Sequence, residues 1–247
     1  MKYILFTTLI VLSTVLHSQD NRFMPEERGS LVEKGGYYID FDEESRRANW
    51  VSYELTFQEL SKNIIDDDDY CSKDSVIQNE YAHDDYTPMC SGVYERGHLK
   101  PKQHSRSSLL HFEDCNLMPN IAPQHCKLNQ GIWKSIEYKS TSYVTEHSRV
   151  YVLTGPSKEL FKRLSNKCGI NIPKYFWKVI LLDENGMFSV AAFICQNDKS
   201  VVSDNFKDYI VSINTLEDSL GVNFFKSLEG FVEDDFESSE NFDWFCE

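Results

Sequence analysis

Apolar and aromatic residues fall in short blocks along this chain, separated by charged or turn-forming stretches. In GYYIDFDEESRRANWVSYELT, the blocks at 37–41 and 50–55 flank a polar, charged connection, which reads as strand, turn, strand. VYVLTG, YFWKVILLD and MFSVAAFIC read as three further strands. The last two are joined by Glu184-Asn185-Gly186, and Asn-Gly is a strong hairpin signal. VYERGHL reads as a short strand entering a turn at Gly97, and CNLMPNIAPQ as a second extended piece limited by Pro119 and Pro123. KLNQGIWKSIEYKSTSYVTEH instead has helical spacing at Leu128, Ile132 and Ile136. Gly131 costs that helix up to ~1 kcal/mol in an exposed interior, so it belongs near the start or against a close neighbour. NTLEDSLG predicts a short helix capped by Asn214 or Thr215 and stopped at Gly221. Residues 19–35 read as a loose entry segment and 61–92 as a long loop. The tail EGFVEDDFESSENFDWFCE is acidic, with aromatic residues to dock it. The pattern shows no internal repeat and no boundary within 19–247, which is expected to be a single domain.

The first residues follow a different logic. Lys2 precedes the apolar run YILFTTLIVLSTVL, and Ser18 offers a small residue at a cleavage point, the pattern of a secretory signal peptide over 1–18. The run is shorter than the ~20 residues of a spanning helix, and no later run is long enough to cross a bilayer. Export is therefore expected, with no membrane partner. It would also permit disulfides among Cys71, Cys90, Cys115, Cys126, Cys168, Cys195 and Cys246. Three bridges and one free thiol, or an intermolecular bridge, are the expectation, with the pairing open. The balance of 25 Lys and Arg against 39 Asp and Glu gives a net charge of −14. Such a diffuse negative potential argues against a general polyanion binder but leaves room for a local positive cleft. The aspartate run 66–69 lacks the Gly and Glu spacing of a calcium loop and reads as a solvated acidic loop.

One stretch runs against that balance. ERGHLKPKQHSR surrounds His98 with Arg96, Lys100, Lys102 and Arg106. Arg96 lies two residues before the histidine, on the same side of an extended chain. Neighbouring cations favour the neutral imidazole, which can accept a proton from water, while the cations hold a phosphate. That combination suits phosphodiester hydrolysis with histidine as general base. Magnesium commonly neutralises the phosphate in such reactions and needs few protein ligands. Asn129 offers a carbonyl oxygen near the start of the expected helix. Glu137 follows about 12 Å further along an ideal helix axis and leans back toward the N-terminus. Both can border one site, with Asn129 binding the ion and Glu137 holding a water on it. Taken singly, Asn129 also suits a helix cap and Glu137 a surface carboxylate. A rival cluster, His104, His111, Cys115, His125 and Cys126, suggests zinc, but its spacings match no simple zinc pattern.

ERGHLKP and NLMPNIAPQHCKLNQGIWKSIE together resemble the core of the DNA/RNA non-specific endonucleases. These are ββα-metal (His-Me finger) enzymes, and endonuclease G is among them. Arg96-Gly97-His98, Asn120 through Pro123 to Gln124, and Leu128-Asn129 with Trp133 and Glu137 carry the likeness. RRANWVSYELT, VYVLTGP, IPKYFWKVIL and AAFICQN are similar to the family's strands in the right order, over roughly residues 37–228. The resemblance implies an α+β fold with a mixed central sheet, packed helices and a ββα-metal motif at about 93–146. It implies His98 as general base, Arg96 on the phosphate, and Asn120 positioning His98 or the phosphate. Asn129 would be the direct magnesium ligand and Glu137 a ligand through water, with Mn2+ able to substitute. Substrates would be DNA and RNA, bound with help from Lys100 and Lys62 and cut to 5′-phosphate products. Dimerisation occurs in the family, so a homodimer is compatible, but the chain shows no interface signature.

Two departures stand out. Glu95 occupies the place of the family's aspartate, and no arginine lies between Thr56 and Tyr94, where the family tends to carry one. Lys62 is the nearest cation there and lacks the planar fork of arginine. The alternative reading is a weakly active or inactive nucleic-acid-binding protein on the same scaffold.

Overall fold

The computed structural model describes residues 21–63, 72–77, 80, 93–163, 170–225 and 243–246. The signal-peptide expectation, the aspartate run, Cys71, Cys90, Cys168 and most of the acidic tail lie outside these residues. In chain order the elements are β1 (Ser30–Lys34), β2 (Tyr37–Asp42), β3 (Arg47–Thr56), α1 (Phe57–Leu60), β4 (Tyr94–His98), α2 (Leu109–Cys115) and β5 (Ile121–His125). There follow α3 (Cys126–Gln130), α4 (Ile132–Ser142), β6 (Ser148–Pro156), β7 (Leu160–Arg163), β8 (Asn171–Pro173), β9 (Tyr175–Glu184), β10 (Met187–Gln196), β11 (Ile210–Val211), α5 (Ile213–Leu220) and α6 (Asp243–Cys246).

Seven strands make one sheet in the order β1-β2-β3-β6-β9-β10-β11, and β4-β5 and β7-β8 form two small ribbons. The α+β class holds, and every pairing in the large sheet is antiparallel. β1 arises within the segment expected to be loose. It is a half-exposed edge strand whose apolar pattern is too thin to announce it. The hairpin between β9 and β10 turns at Asn185 (φ 57°) and Gly186 (φ 87°), as the Asn-Gly pair requires. α5 stops at Gly221 (φ 60°), but its cap is Ser212 rather than Asn214 or Thr215. The Ser212 hydroxyl accepts from the Thr215 N–H, which puts the helix start earlier than expected.

The central strands are covered on both faces, which is why β9 reads as an unbroken apolar run. Phe176, Ile180 and Leu182 pack with Leu128, Ile132, Trp133 and Ile136 on one face. Trp177, Val179 and Leu181 pack with Ile213, Leu216 and Phe224 on the other. Lys178 has the parity of Phe176 and Ile180, so it points under α4.

The β4-β5 ribbon is fastened to this sheet by one buried amide. Asn197 Oδ1 accepts from the His125 N–H at 2.7 Å, and its Nδ2 donates to the carbonyls of Pro123 (3.0 Å) and Pro173 (2.9 Å). Pro123 is tolerated inside β5 because a two-stranded ribbon leaves one edge without a partner. Gly97 lies within β4 and not in a turn. A Cβ there would sit 2.3 Å from Gln124 Oε1, so glycine is needed for close strand approach.

The single helix expected over residues 127–147 is two helices. Gly131 (φ −99°, ψ −122°) breaks it, and a Cβ at that position would lie 2.5 Å from the Lys127 carbonyl oxygen. Asn129 therefore belongs to α3 and Glu137 to α4, and the ideal-axis spacing between them does not apply. The cysteines also depart from expectation. Cys126, Cys195 and Cys246 are free thiols, and the Cys115 thiol donates to the Phe112 carbonyl at 3.1 Å, so a three-bridge framework is excluded. Burial pushes the Cys195 thiol up to about 12, which leaves it unreactive.

Gly131→Ala is expected to lose about 1–3 kcal/mol of unfolding free energy in a urea titration. A loss under about 0.5 kcal/mol would show that α3 and α4 re-angle without cost.

Candidate active site

Strand β4, the two helices after β5 and the segment behind α1 meet around a cleft of about 840 Å³. β4 contributes Glu95, Arg96 and His98, α3 contributes Asn129, and α4 contributes Lys134 and Glu137. Lys102 and Arg106 come from the segment after β4, and Lys62 and Asn63 from the segment after α1. The rim is thus basic, although the chain is acidic.

The histidine is held by a side chain that the sequence did not single out. His98 Nε2 lies 3.1 Å from Asn116 Oδ1, and Asn116 Nδ2 donates to the Phe112 carbonyl at 3.0 Å. The second bond fixes which way the amide faces, so its oxygen accepts from His98 and Nε2 carries the hydrogen. The neutral ring then has its lone pair on Nδ1, the atom able to take a proton. The Asn116 backbone is tied in turn: its carbonyl accepts from Ser72 N at 3.0 Å, while Met118 N donates to the Ser72 carbonyl at 2.8 Å.

Asn129 is oriented by the same logic. Its Nδ2 donates to Glu95 Oε2 at 2.8 Å, which turns Oδ1 into the atom available to a cation. The other oxygen of Glu95 accepts from Gln130 Nε2. Glu137 is nearly buried at the cleft edge, and its Oε1 accepts from Lys178 Nζ at 3.0 Å. Burial raises the Glu137 carboxyl above its ordinary value while Lys178 pulls it back. Burial lowers the Lys178 ammonium while Glu137 supports it.

A model of the DNA/RNA non-specific endonucleases matches residues 21–231. The chain belongs to the DNA/RNA non-specific endonuclease family. As a member it is an enzyme, a hydrolase of phosphodiester bonds. It is 27% identical over 219 residues to a nuclease of Nostoc sp. (strain PCC 7120 / SAG 25.82 / UTEX 2576), covering 84% of this chain and 77% of that one. It is 27% identical over 211 residues to mitochondrial endonuclease G of Homo sapiens, covering 80% and 70%. A chain in the crystal structure of the EndoG/EndoGI complex shares the fold, with a TM-score of 0.72 at 24% identity, over 82% of this chain and 88% of that one.

Of the residues that the resemblance to this endonuclease family nominated, His98, Arg96, Asn129, Glu137 and Lys62 do line one cleft. Two others do not. Lys100 is buried, its Nζ donating to the Gly36 carbonyl at 2.7 Å and lying 5.6 Å from the ring centres of both Tyr37 and Tyr53. Burial lowers its pKa to about 8, against weaker support from Glu59. It holds the fold and does not reach the cleft. Asn120 is fully buried and does not line the cleft. Its Oδ1 accepts from Lys100 N (2.9 Å), and its Nδ2 donates to the carbonyls of Lys100 (2.9 Å) and Cys115 (2.7 Å). Asn120 therefore locks the turn that follows His98, which leaves only the positioning half of its expected role.

Asn116 and Lys178 are the functional candidates that motif reading missed. Asn116 carries no local signal. Lys178 does carry one, as a lone ammonium within an apolar strand. Among the described residues no three His, Cys, Asp or Glu side chains converge, so the zinc cluster does not form. His104 faces Tyr53 (3.2 Å), His111 faces Ser107 (2.9 Å), and His125 Nδ1 accepts from Lys127 N (3.2 Å). The donors that do face the cleft, an amide oxygen and a carboxylate, are hard oxygens that suit magnesium or manganese. A second cavity of about 660 Å³ shares Lys62 with the cleft, and there Glu33, Glu54, Glu59 and Glu146 face Lys34, Lys62 and Arg149, so it lacks the basic excess of the cleft.

Asn116→Ala should fold normally by circular dichroism yet lower kcat about 10–100-fold with little change in KM, since the imidazole loses its aim. An unchanged kcat would show that the ring is held elsewhere. Lys100→Met tests the buried ammonium. The folded value of about 8 lies below the 10.5 of an exposed lysine, so between these values the unfolded chain binds more protons. Wild type should gain stability relative to Lys100→Met as pH rises through that window. A flat difference in urea titrations from pH 7 to 10 would contradict the shift.

Proposed function

We propose that the protein is an exported, sugar-non-specific endonuclease that hydrolyses DNA and RNA with His98 as general base and one magnesium ion. The observation that carries this reading is the hydrogen-bonded chain Phe112–Asn116–His98, which presents a proton-accepting Nδ1 in a basic cleft beside Asn129 and Glu137. His98 Nδ1 would take a proton from the water that attacks phosphorus. The P–O3′ bond would break, leaving a 5′-phosphate and a 3′-oxygen protonated from water. Asn129 Oδ1 would hold magnesium directly and Glu137 through water, with manganese as a substitute. When bound, the ion would offset charge on the phosphate and at the leaving oxygen.

Arg96 would contact the scissile phosphate. Arg106, whose Nη1 lies 3.4 Å from Asn63 Oδ1, supplies a second guanidinium on the wall where, among the described residues, the segment after α1 brings Lys62 as its cation. Lys62, Lys102 and Lys134 extend this basic rim. Cations that grip the backbone carry no base information, which fits tolerance of both nucleic acids. The apolar run after Lys2 supports export.

Nicking of supercoiled plasmid and cutting of an RNA transcript, with magnesium or with EDTA, tests the reading. Cleavage should require the metal and fall at least ~10²-fold in His98→Ala. Asn129→Ala should chiefly raise the magnesium needed. Arg106→Ala should weaken binding and reduce the salt slope by about 1. A folded, metal-supplied wild type that binds both substrates and cuts neither would make the protein a nucleic-acid-binding scaffold instead.

A further inference from the structure

Glu137 is gripped from behind by a group that the chemistry above does not use. Lys178 stands in the middle of β9 with a relative exposure of 0%. Its Nζ lies 3.0 Å from Glu137 Oε1 and 4.1 Å from the centre of the Trp133 ring. Trp133 and Glu137 are one helical turn apart on α4, so both meet the ammonium from the same side. Beyond Glu137, the Cys195 thiol gives the ammonium only weaker support. His104, buried and facing Tyr53, is held neutral first by burial and then by Lys178 and Lys100. Glu137 is the carboxylate that reaches it.

Stability alone is a poor reason for a lysine in this place. Apolar residues in place of both Lys178 and Glu137 would pack among Phe176, Ile180 and Trp133 without stripping water from either charge, and such replacements of a whole buried pair are often neutral or stabilising. The geometry has a consequence at the cleft. With Oε1 fixed on Lys178, the second carboxylate oxygen is the one left to serve the cleft that Glu137 lines. Without that anchor a glutamate side chain has several rotamers open to it.

We propose that Lys178 is a positioning residue for Glu137, an ammonium buried under the sheet-facing side of α4 that aims the carboxylate at the metal's water shell. The role rests on the nuclease reading of the cleft. Lys178 acts through Glu137 and touches no substrate.

The test uses the full chain and the variants Lys178→Met, Glu137→Gln and the double variant. Mn2+ affinity is read by water-proton relaxation, kcat and KM by plasmid cleavage, and stability by urea titration. Lys178→Met should stay folded at a lowered unfolding midpoint, since Glu137 loses its counter-charge, weaken Mn2+ binding about tenfold, and lower kcat about 10–100-fold with KM little changed. The double variant should be no worse than Glu137→Gln, because both changes remove one coupled unit. Wild-type Mn2+ affinity and kcat in Lys178→Met, or losses that multiply in the double variant, would overturn the role. Lys178→Gln, which keeps a donor, repeats the titration if the methionine variant unfolds. Unfolding of both would assign the lysine to stability and equally overturn the proposal. Wild type that neither binds Mn2+ nor cuts would bring down the reading of the cleft, and this role with it.

Discussion

The contact between Lys178 and Glu137 constrains more of this structure than its two residues suggest. β9 is covered on both faces, so a charge placed on it must be met inside the protein. Meeting it sets how α4 lies on the sheet: Glu137 over the ammonium, with Ile132, Trp133 and Ile136 filling the apolar surface around it. The opposite side of α4 then carries Lys134 and Tyr138 to the cleft. The break at Gly131 frees α3 to take its own direction, and Glu95 on β4 captures Asn129 from there. Fold and site share one set of contacts.

The cations of ERGHLKPKQHSR divide their work in a way that the acidic total conceals. Arg96, Lys102 and Arg106 face the cleft, while Lys100 turns inward between two tyrosine rings. A positive cleft on a protein of net charge −14 concentrates its attraction at one place. The neighbouring cavity of mixed charge marks the edge of that basic surface, with Lys62 standing on it.

The glutamate in place of the family's aspartate finds an explanation in the same geometry. Glu95 spans from β4 to α3 and binds the side-chain amides of both Asn129 and Gln130. The longer side chain serves as a bridge between ribbon and helix, and the proposed metal ligand is aimed by it. The absent upstream arginine leaves Lys62 and Asn63 on that wall, with Arg106 resting against Asn63. One guanidinium is thereby placed near the missing one's side of the cleft by a different part of the chain.

Much of this was legible where the physics is local. The apolar runs of β6, β9 and β10, the Asn-Gly hairpin, the stop at Gly221 and the ordered motif from Arg96 to Glu137 depend on neighbours a few residues away. What the sequence left open depends on partners far along the chain. Asn116 meets His98 across 18 residues, Asn129 meets Glu95 across 34, and Lys178 meets Glu137 across 41. Lys100 and Lys102 look alike in sequence, yet one is buried and the other lines the cleft, because the turn pinned by Asn120 sends them to different surroundings. Residue types and their order determined the reaction class by themselves, since the chemistry needs those groups. Tertiary structure alone decided which nitrogen of His98 carries the hydrogen, which oxygen of Asn129 is offered and what stands behind Glu137, because each is set by a hydrogen bond that exists only after the chain has closed on itself.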